Sequence, residues 1–267
     1  MVLSVRSYGE GYPVIVLPWF GLDGAATAMA FEPAFSETSG WQRLYLDLPG
    51  TGNSAPVAAT SDAVRDSVAD TIRQLAGDAP YALAGCSYGG YLAAALARRG
   101  TSRIAGLLLV CAGVKILPVE RNLSGLVPSA PEPGWLDAIP HKWHQHFQHA
   151  IGAQTPDVAR RVFAAVSSSS AIDEYLDSLR ATGYRLSDEL SDEDAATGYA
   201  GPVTLIAGTQ DRVAGYLDLV DTLAGYPNGD YHALGNAGHY LPFEQPHRFR
   251  ALVRDWLTRT ATDAATS

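Results

Sequence analysis

The sequence predicts an α/β fold: a mostly parallel central sheet flanked by helices and interrupted by a helical insertion. Three observations carry this expectation. Short, wholly apolar runs alternate with helical patterns at both ends of the chain, as a sheet buried on both faces requires. The alternation stops near residue 114 and resumes near residue 200. A length of 267 residues suits one large α/β domain or a core with an insertion.

Pro13-Val14-Ile15-Val16-Leu17 is the first strand-like run, and Arg43-Leu44-Tyr45-Leu46-Asp47 the next, closed by Pro49 and Gly50. Val64, Val68, Ile72 and Leu75 recur at helical spacing, with Ser61 and Asp62 as candidate N-caps and Gly77 as the stop. Residues 81–84 read as a strand that turns sharply through 85–90 into a small-residue helix over 91–99, stopped by Gly100. Residues 104–112 form a longer apolar run. Then Pro118, Pro128, Pro131, Pro133 and Pro140 break the rhythm. Helices are expected over 135–151, 156–166 and 172–181, and a solvated acidic stretch over 187–194. Strand patterns return at 203–207 and 231–234. The last helix begins near Pro246, with Phe249, Leu252, Val253, Trp256 and Leu257 on one face, and the small polar residues 258–267 are expected to fray. The division is therefore a core of 1–113 and 200–267 around a helical insertion of 114–199.

Composition excludes several classes of function. Hydrophobic residues make up 47% and charged residues 18%, which excludes disorder. Nineteen basic and 28 acidic residues leave a net charge of −9, which argues against nucleic acid and against an anionic membrane surface. No apolar run approaches the length of a membrane span, and the first residues lack a signal-peptide core. Cys86 and Cys111 are the only cysteines, which rules out a disulfide framework and a Cys-based zinc site. The expected location is the cytoplasm and the expected partner a small molecule; no cofactor or metal is expected, and the oligomeric state is not encoded in any motif.

Gly85-Cys86-Ser87-Tyr88-Gly89 is a G-x-S-x-G sequence between a strand and a helix. Small residues at 85 and 89 let neighbouring backbone approach, and the serine hydroxyl projects near a helix N-terminus whose N–H groups suit a developing oxyanion. A serine needs a base. His239 follows the last strand and is the candidate; His232 lies within that strand and His247 begins the last helix, so both are poorer choices. Asp211 follows the strand at 203–207 and is the candidate orienting acid. All three sit at strand carboxyl ends, which share one edge of a parallel sheet. The histidine-rich run His141-Lys142-Trp143-His144-Gln145-His146-Phe147-Gln148-His149 has no H-E-x-x-H pattern, and a solvated or substrate-facing helix is the preferred reading over a metal site.

With these residues in view the chain resembles the α/β-hydrolase superfamily. The order Ser87, Asp211, His239 is the family order, and Asp47-Leu48-Pro49-Gly50-Thr51-Gly52-Asn53-Ser54 is similar to its D-x-P-G-x-G-x-S loop. Gly208-Thr209-Gln210-Asp211 resembles its G-x-x-D segment. Gly238-His239 with Glu244-Gln245-Pro246 resembles its G-H…E-x-P ending. The resemblance covers about residues 10–113 and 200–260, and it implies that the insertion is a cap. It implies an oxyanion hole built from the backbone N–H groups of Phe20 and Tyr88. One departure stands out: Pro18 and Trp19 replace the family's His-Gly after the first strand. Trp19 is therefore expected to wall the pocket, to crowd the hole or to pack beneath the loop. Trp19, Trp143, Phe147 and Tyr240 are the candidate pocket residues, with Trp135, Tyr175 and Tyr184 as further aromatics beneath the cap. The resemblance implies a serine hydrolase acting on an ester, thioester, lactone or cleavable C–C bond. The alternatives are a lyase, cyclising or acyl-transfer enzyme on the same site, and a binding protein with little turnover. Net acidity and a helical cap point to a neutral, partly apolar small molecule.

Overall fold

The computed structural model describes residues 2–99, 103–124, 130–187 and 199–266. Strands β1 (Val5–Tyr8), β2 (Tyr12–Leu17), β3 (Trp41–Leu46), β4 (Tyr81–Cys86), β5 (Ile104–Val110), β6 (Val203–Gly208) and β7 (Gly229–Leu234) form one sheet in the order β1-β3-β2-β4-β5-β6-β7. Only β1 runs antiparallel, along β3; every other pairing is parallel. β1 is mostly exposed at the sheet edge and has no apolar run, so the sequence pattern does not reveal it. β4, β5 and β6 are buried along their whole lengths, which is why they read as continuous apolar stretches.

Alternate strand residues feed two apolar layers. Val14, Val16, Ala82, Ala84, Leu108 and Val110 face one side, with Phe31, Phe249, Val253 and Trp256. Ile15, Leu17, Leu83, Leu107 and Leu109 face the other, with Val64, Val68, Ile72 and Leu92. The first layer is closed by helices α1 (Gly24–Phe35) and α9 (Pro246–Thr266), the second by α2 (Ser61–Ala76) and α3 (Tyr88–Arg98). α1 escapes the sequence reading because it is buried nearly all round, which erases the amphipathic stripe. Asp23 caps it by accepting from Ala26 N at 3.0 Å, and Asp47 accepts from Gly24 N at 2.8 Å and from Asn53 N at 2.9 Å. Asp47 thereby ties the loop after β3 to the start of α1.

Several expectations need correction. The N-cap of α2 is Thr60, not Ser61 or Asp62; Thr60 has the extended backbone a cap requires and accepts from Ala63 N. Ser61, one residue inside, instead meets the Tyr88 hydroxyl at 2.8 Å and donates to the Tyr184 carbonyl at 2.5 Å. α3 begins directly after Ser87, three residues earlier than its periodicity suggests. Between β5 and β6 lie α4 (His144–Ala150), α5 (Pro156–Ser168) and α6 (Asp173–Ala181). Residues 133–138 are turns rather than helix: Gly134 at their start takes φ 71°, and Pro140 biases Ile139, at their end, away from the helical region. Val158, Val162 and Val166 are buried along α5 as expected, and α5 packs against α1 and against α8 (Leu241–Glu244). The acidic stretch lies outside the described residues after Ser187, as do Gly100 and Pro128. α9 is helical to Thr266 rather than ending near 258, and within it Thr260 is buried, its hydroxyl donating to the Trp256 carbonyl at 2.9 Å. A short α7 (Tyr216–Asp221) follows β6. No helix among the described residues is long and apolar enough to cross a membrane.

Candidate functional site

Ser87 sits between the last residue of β4 and the first of α3, with φ 52° and ψ −116°. This left-handed region is unfavourable for serine, by about 1–3 kcal/mol, and persists only where the surroundings enforce it. Here Ser87 N donates to the Val110 carbonyl at 2.9 Å, and the Ser87 carbonyl accepts from Tyr91 N at 3.0 Å and Gly113 N at 3.1 Å. The flanking glycines make the turn possible. A Cβ on Gly85 would strike the Gly89 carbonyl, and a Cβ on Gly89 would strike the carbonyls of Leu17 and Pro18.

The Ser87 hydroxyl lies 2.8 Å from His239 Nε2, and His239 Nδ1 lies 2.9 Å from Asp211 Oδ2. Asp211 is wholly buried after β6, and its other oxygen accepts from Val213 N at 2.8 Å and Ala214 N at 2.9 Å. Burial alone would raise its carboxyl pKa. The facing imidazole and the two N–H donors outweigh that and hold it below the ordinary value. An ionised Asp211 fixes the tautomer with the proton on Nδ1, which leaves Nε2 to accept from Ser87.

The loop carrying His239 is held by three residues. His239 N donates to the Ala150 carbonyl at 2.7 Å, and the His239 carbonyl accepts from the Trp19 indole at 3.2 Å. Glu244, buried beneath, accepts from Gly238 N at 2.9 Å and Tyr240 N at 3.1 Å, and also from Gly152 N at 2.7 Å and Ala153 N at 2.8 Å. Burial pushes its carboxyl up to about 7 despite these bonds. One carboxyl group thus joins the His239 loop to the segment between α4 and α5. The two cysteine thiols are buried and pushed well above their ordinary pKa by desolvation, so neither is activated as a nucleophile.

Ser87 and His239 open on a cleft of about 260 Å³. Its described walls include Phe20 and Tyr88, the two expected oxyanion-hole residues. Neither of their backbone N–H groups meets a hydrogen-bond acceptor among the described residues, and Gly89 N donates to the Pro18 carbonyl at 3.1 Å, which draws their two segments together. Trp19 and Tyr240 also contribute to the wall. The Trp19 ring turns beneath the His239 loop, 2% exposed and packed on Tyr240 and Phe243, and its N–H is taken up by His239. Trp143 and Phe147 are not on the wall: Phe147 is wholly buried in the core, and Trp143 packs on Phe147 and Phe163. In their place α4 presents His146, whose Nε2 lies 2.9 Å from the Tyr240 hydroxyl and whose pKa burial lowers to about 4. Of the further aromatics only Tyr184 lines the cleft; Trp135 and Tyr175 are buried elsewhere.

Sequence reasoning missed His146, Arg121 and Arg180 on these walls. The histidine run offered a signal for the first. The two arginines stand in no motif, and only the folded β5–β6 connection brings them to the cleft. His144 Nε2 donates to the Ile139 carbonyl at 2.8 Å, and His247 pairs with Arg250 on the surface. No group of three or more His, Cys, Asp or Glu side chains fit to hold a metal occurs among the described residues.

A family model described as the alpha/beta hydrolase family matches residues 17–252. A 2-hydroxy-6-oxononadienedioate/2-hydroxy-6-oxononatrienedioate hydrolase 2 of Pseudomonas putida is 23% identical over 266 residues, 96% of this chain and 91% of that protein. A 2-succinyl-6-hydroxy-2,4-cyclohexadiene-1-carboxylate synthase of Salmonella typhimurium is 25% identical over 231 residues, covering 81% and 83% of the two chains. Among solved structures, an alpha/beta superfamily hydrolase from Oenococcus oeni PSU-1 superposes with a TM-score of 0.86 at 26% identity, over 97% of this chain and 96% of that one. An enol-lactonase from Burkholderia xenovorans LB400, at 20% identity and a TM-score of 0.71 over 96% of each chain, shares the fold.

Proposed function

The chain belongs to the alpha/beta hydrolase family, and from that premise we propose that it is a serine hydrolase that cleaves an ester, thioester, lactone or activated C–C bond of a small molecule. The observation that carries this reading is the continuous relay from Asp211 through His239 to Ser87, with contacts of 2.9 and 2.8 Å at the floor of the cleft. His239 Nε2 takes the Ser87 proton as Oγ attacks the carbonyl carbon. Asp211 stabilises the imidazolium that results. The N–H groups of Phe20 and Tyr88 receive the oxyanion. Collapse expels the leaving group, which takes the proton from His239, and leaves an acyl-Ser87 ester. His239 then activates water, and hydrolysis returns the free serine. The helical segment over the cleft acts as its cap.

The test is a panel of p-nitrophenyl acyl esters run with wild type and Ser87→Ala and followed by intact mass. Wild type is expected to turn over or to gain the mass of one acyl group. Ser87→Ala is expected to lose at least about 10³-fold in kcat and to gain no mass. Equal rates in the two proteins would overturn the assignment.

A second reading rests on the likeness to the Salmonella synthase. His239 would abstract a proton, and elimination or ring closure would follow without an acyl-enzyme. Oxygen-18 from solvent in the product would exclude it. The Pro18-Trp19 departure, where the family has His-Gly, is a second motive for this reading.

A further inference from the structure

Two cations face the cleft, and no aspartate or glutamate is among its described lining residues. Arg121 is fixed there by three backbone carbonyls: Nε donates to Lys115 at 3.0 Å, Nη1 to Val213 at 2.6 Å and Nη2 to Ile116 at 2.5 Å. A guanidinium has five N–H donors, so two remain, one on each terminal nitrogen. No carboxylate stands within ion-pair distance of Arg121 among the described residues. The acids near enough to act on its charge are engaged elsewhere, Asp211 with His239 and Asp218 with Lys115 at 3.3 Å. Arg121 is therefore a half-buried cation whose hydrogen bonds all go to neutral carbonyls. Asp211 and Asp218 offset its charge only from a distance, so an anion entering the cleft meets a cation with open donors. Arg180, on α6, holds its guanidinium 5.0 Å above the Phe20 ring, the residue proposed to supply an oxyanion N–H. Its one described carboxylate partner is the exposed Asp177.

Resting on the hydrolase reading, we infer that Arg121 and Arg180 form a carboxylate subsite, and that the substrate is an anionic acyl compound carrying a carboxylate besides the bond that is cleaved. A preformed guanidinium with two open donors matches a carboxylate. The net charge of −9 is spread over the whole molecule, whereas the cleft walls supply only positive charge; local charge governs what enters a cleft. This replaces the neutral substrate that composition alone suggests.

The first probe is adipate against hexane-1,6-diol, titrated calorimetrically into Ser87→Ala, where no turnover intervenes. Adipate is expected to bind at least about tenfold more tightly than the diol. Arg180→Gln in that background is expected to remove about tenfold of the adipate affinity, and Arg180→Lys to restore part of it. The second arm compares the mono-p-nitrophenyl ester of adipate with p-nitrophenyl hexanoate on wild type and Arg180→Gln. The wild-type preference for the adipate ester in kcat/KM is expected to fall in the variant. Arg121→Gln is the companion variant. Arg180→Gln keeps the test decisive if loss of the three carbonyl ties unfolds it. Turnover with no anion preference overturns the subsite and leaves the hydrolase. Arginine-dependent adipate binding with neither turnover of, nor acylation by, either ester overturns the hydrolase and leaves the subsite. Adipate binding indifferent to Arg180 also overturns the subsite.

Discussion

Ser87 and Asp211 show how single residues are made unusual by their surroundings. A serine with φ 52° and an aspartate with no exposure are both unfavourable in isolation. Each is held by named partners: the Val110 carbonyl and the Tyr91 and Gly113 amides for Ser87, the Val213 and Ala214 amides and His239 for Asp211. Asp211→Asn keeps the shape but removes the charge that fixes the His239 tautomer. Its expected effect is a loss of about 10³–10⁴ in kcat with KM changed far less, measured on whichever ester the wild type prefers. The depressed Asp211 pKa also sets a sign for stability. Its contribution is present above the ordinary aspartate value of 3.8 and lost as pH falls through the lower folded value. The gap in Tm between wild type and Asp211→Asn should therefore narrow on acidification.

At the scale of elements, the elbow depends on how closely β2, β4 and α3 approach. Gly89 N donates to the Pro18 carbonyl at 3.1 Å, and the carbonyls of Leu17 and Pro18 occupy the space a side chain at 89 would need. Gly89→Ala must push α3 away from the end of β2. The expected result is a loss of at least about 2 kcal/mol in denaturant unfolding, together with a lower kcat, because the Tyr88 N–H shifts with the helix. An unchanged unfolding midpoint would refute this account. The G-x-S-x-G spacing was legible in the sequence because these packing demands leave only glycine. The exact start of α3 was not, since Tyr88 and its neighbours carry no cap of their own.

At the scale of the molecule, Glu244 joins the two halves that sequence patterns separate. Its four N–H partners belong to the His239 loop and to the β5–β6 connection. Glu244→Gln places an amide NH₂ where only acceptors fit, and the expected result is a lower Tm and a loss of kcat through His239. The pH dependence has a definite sign. The folded pKa, about 7, stands above the ordinary 4.5, so the stability linked to this proton is fully present below 4.5 and is lost as pH rises through 7. Wild-type Tm should fall more steeply than that of Glu244→Gln between those limits. Equal slopes in the two proteins would show that Glu244 does not titrate there.

The amino-acid sequence determined the sheet, its two apolar layers, the sharp turn at Ser87 and the order of Ser87, Asp211 and His239. Each of these depends on local chemistry: continuous apolar runs for strands buried on both faces, glycines where backbones touch, polar residues at strand ends. The tertiary structure alone decided the rest. It added β1, whose pairing rests on an edge of β3, and α1, whose even burial hides its period. It turned Trp19 under the His239 loop, withdrew Trp143 and Phe147 into packing, and brought His146, Arg121 and Arg180 to the cleft. Residues of the β5–β6 connection meet the sheet edge that carries Ser87, Asp211 and His239 only through contacts far apart in the chain, and no local pattern records which of them will face it.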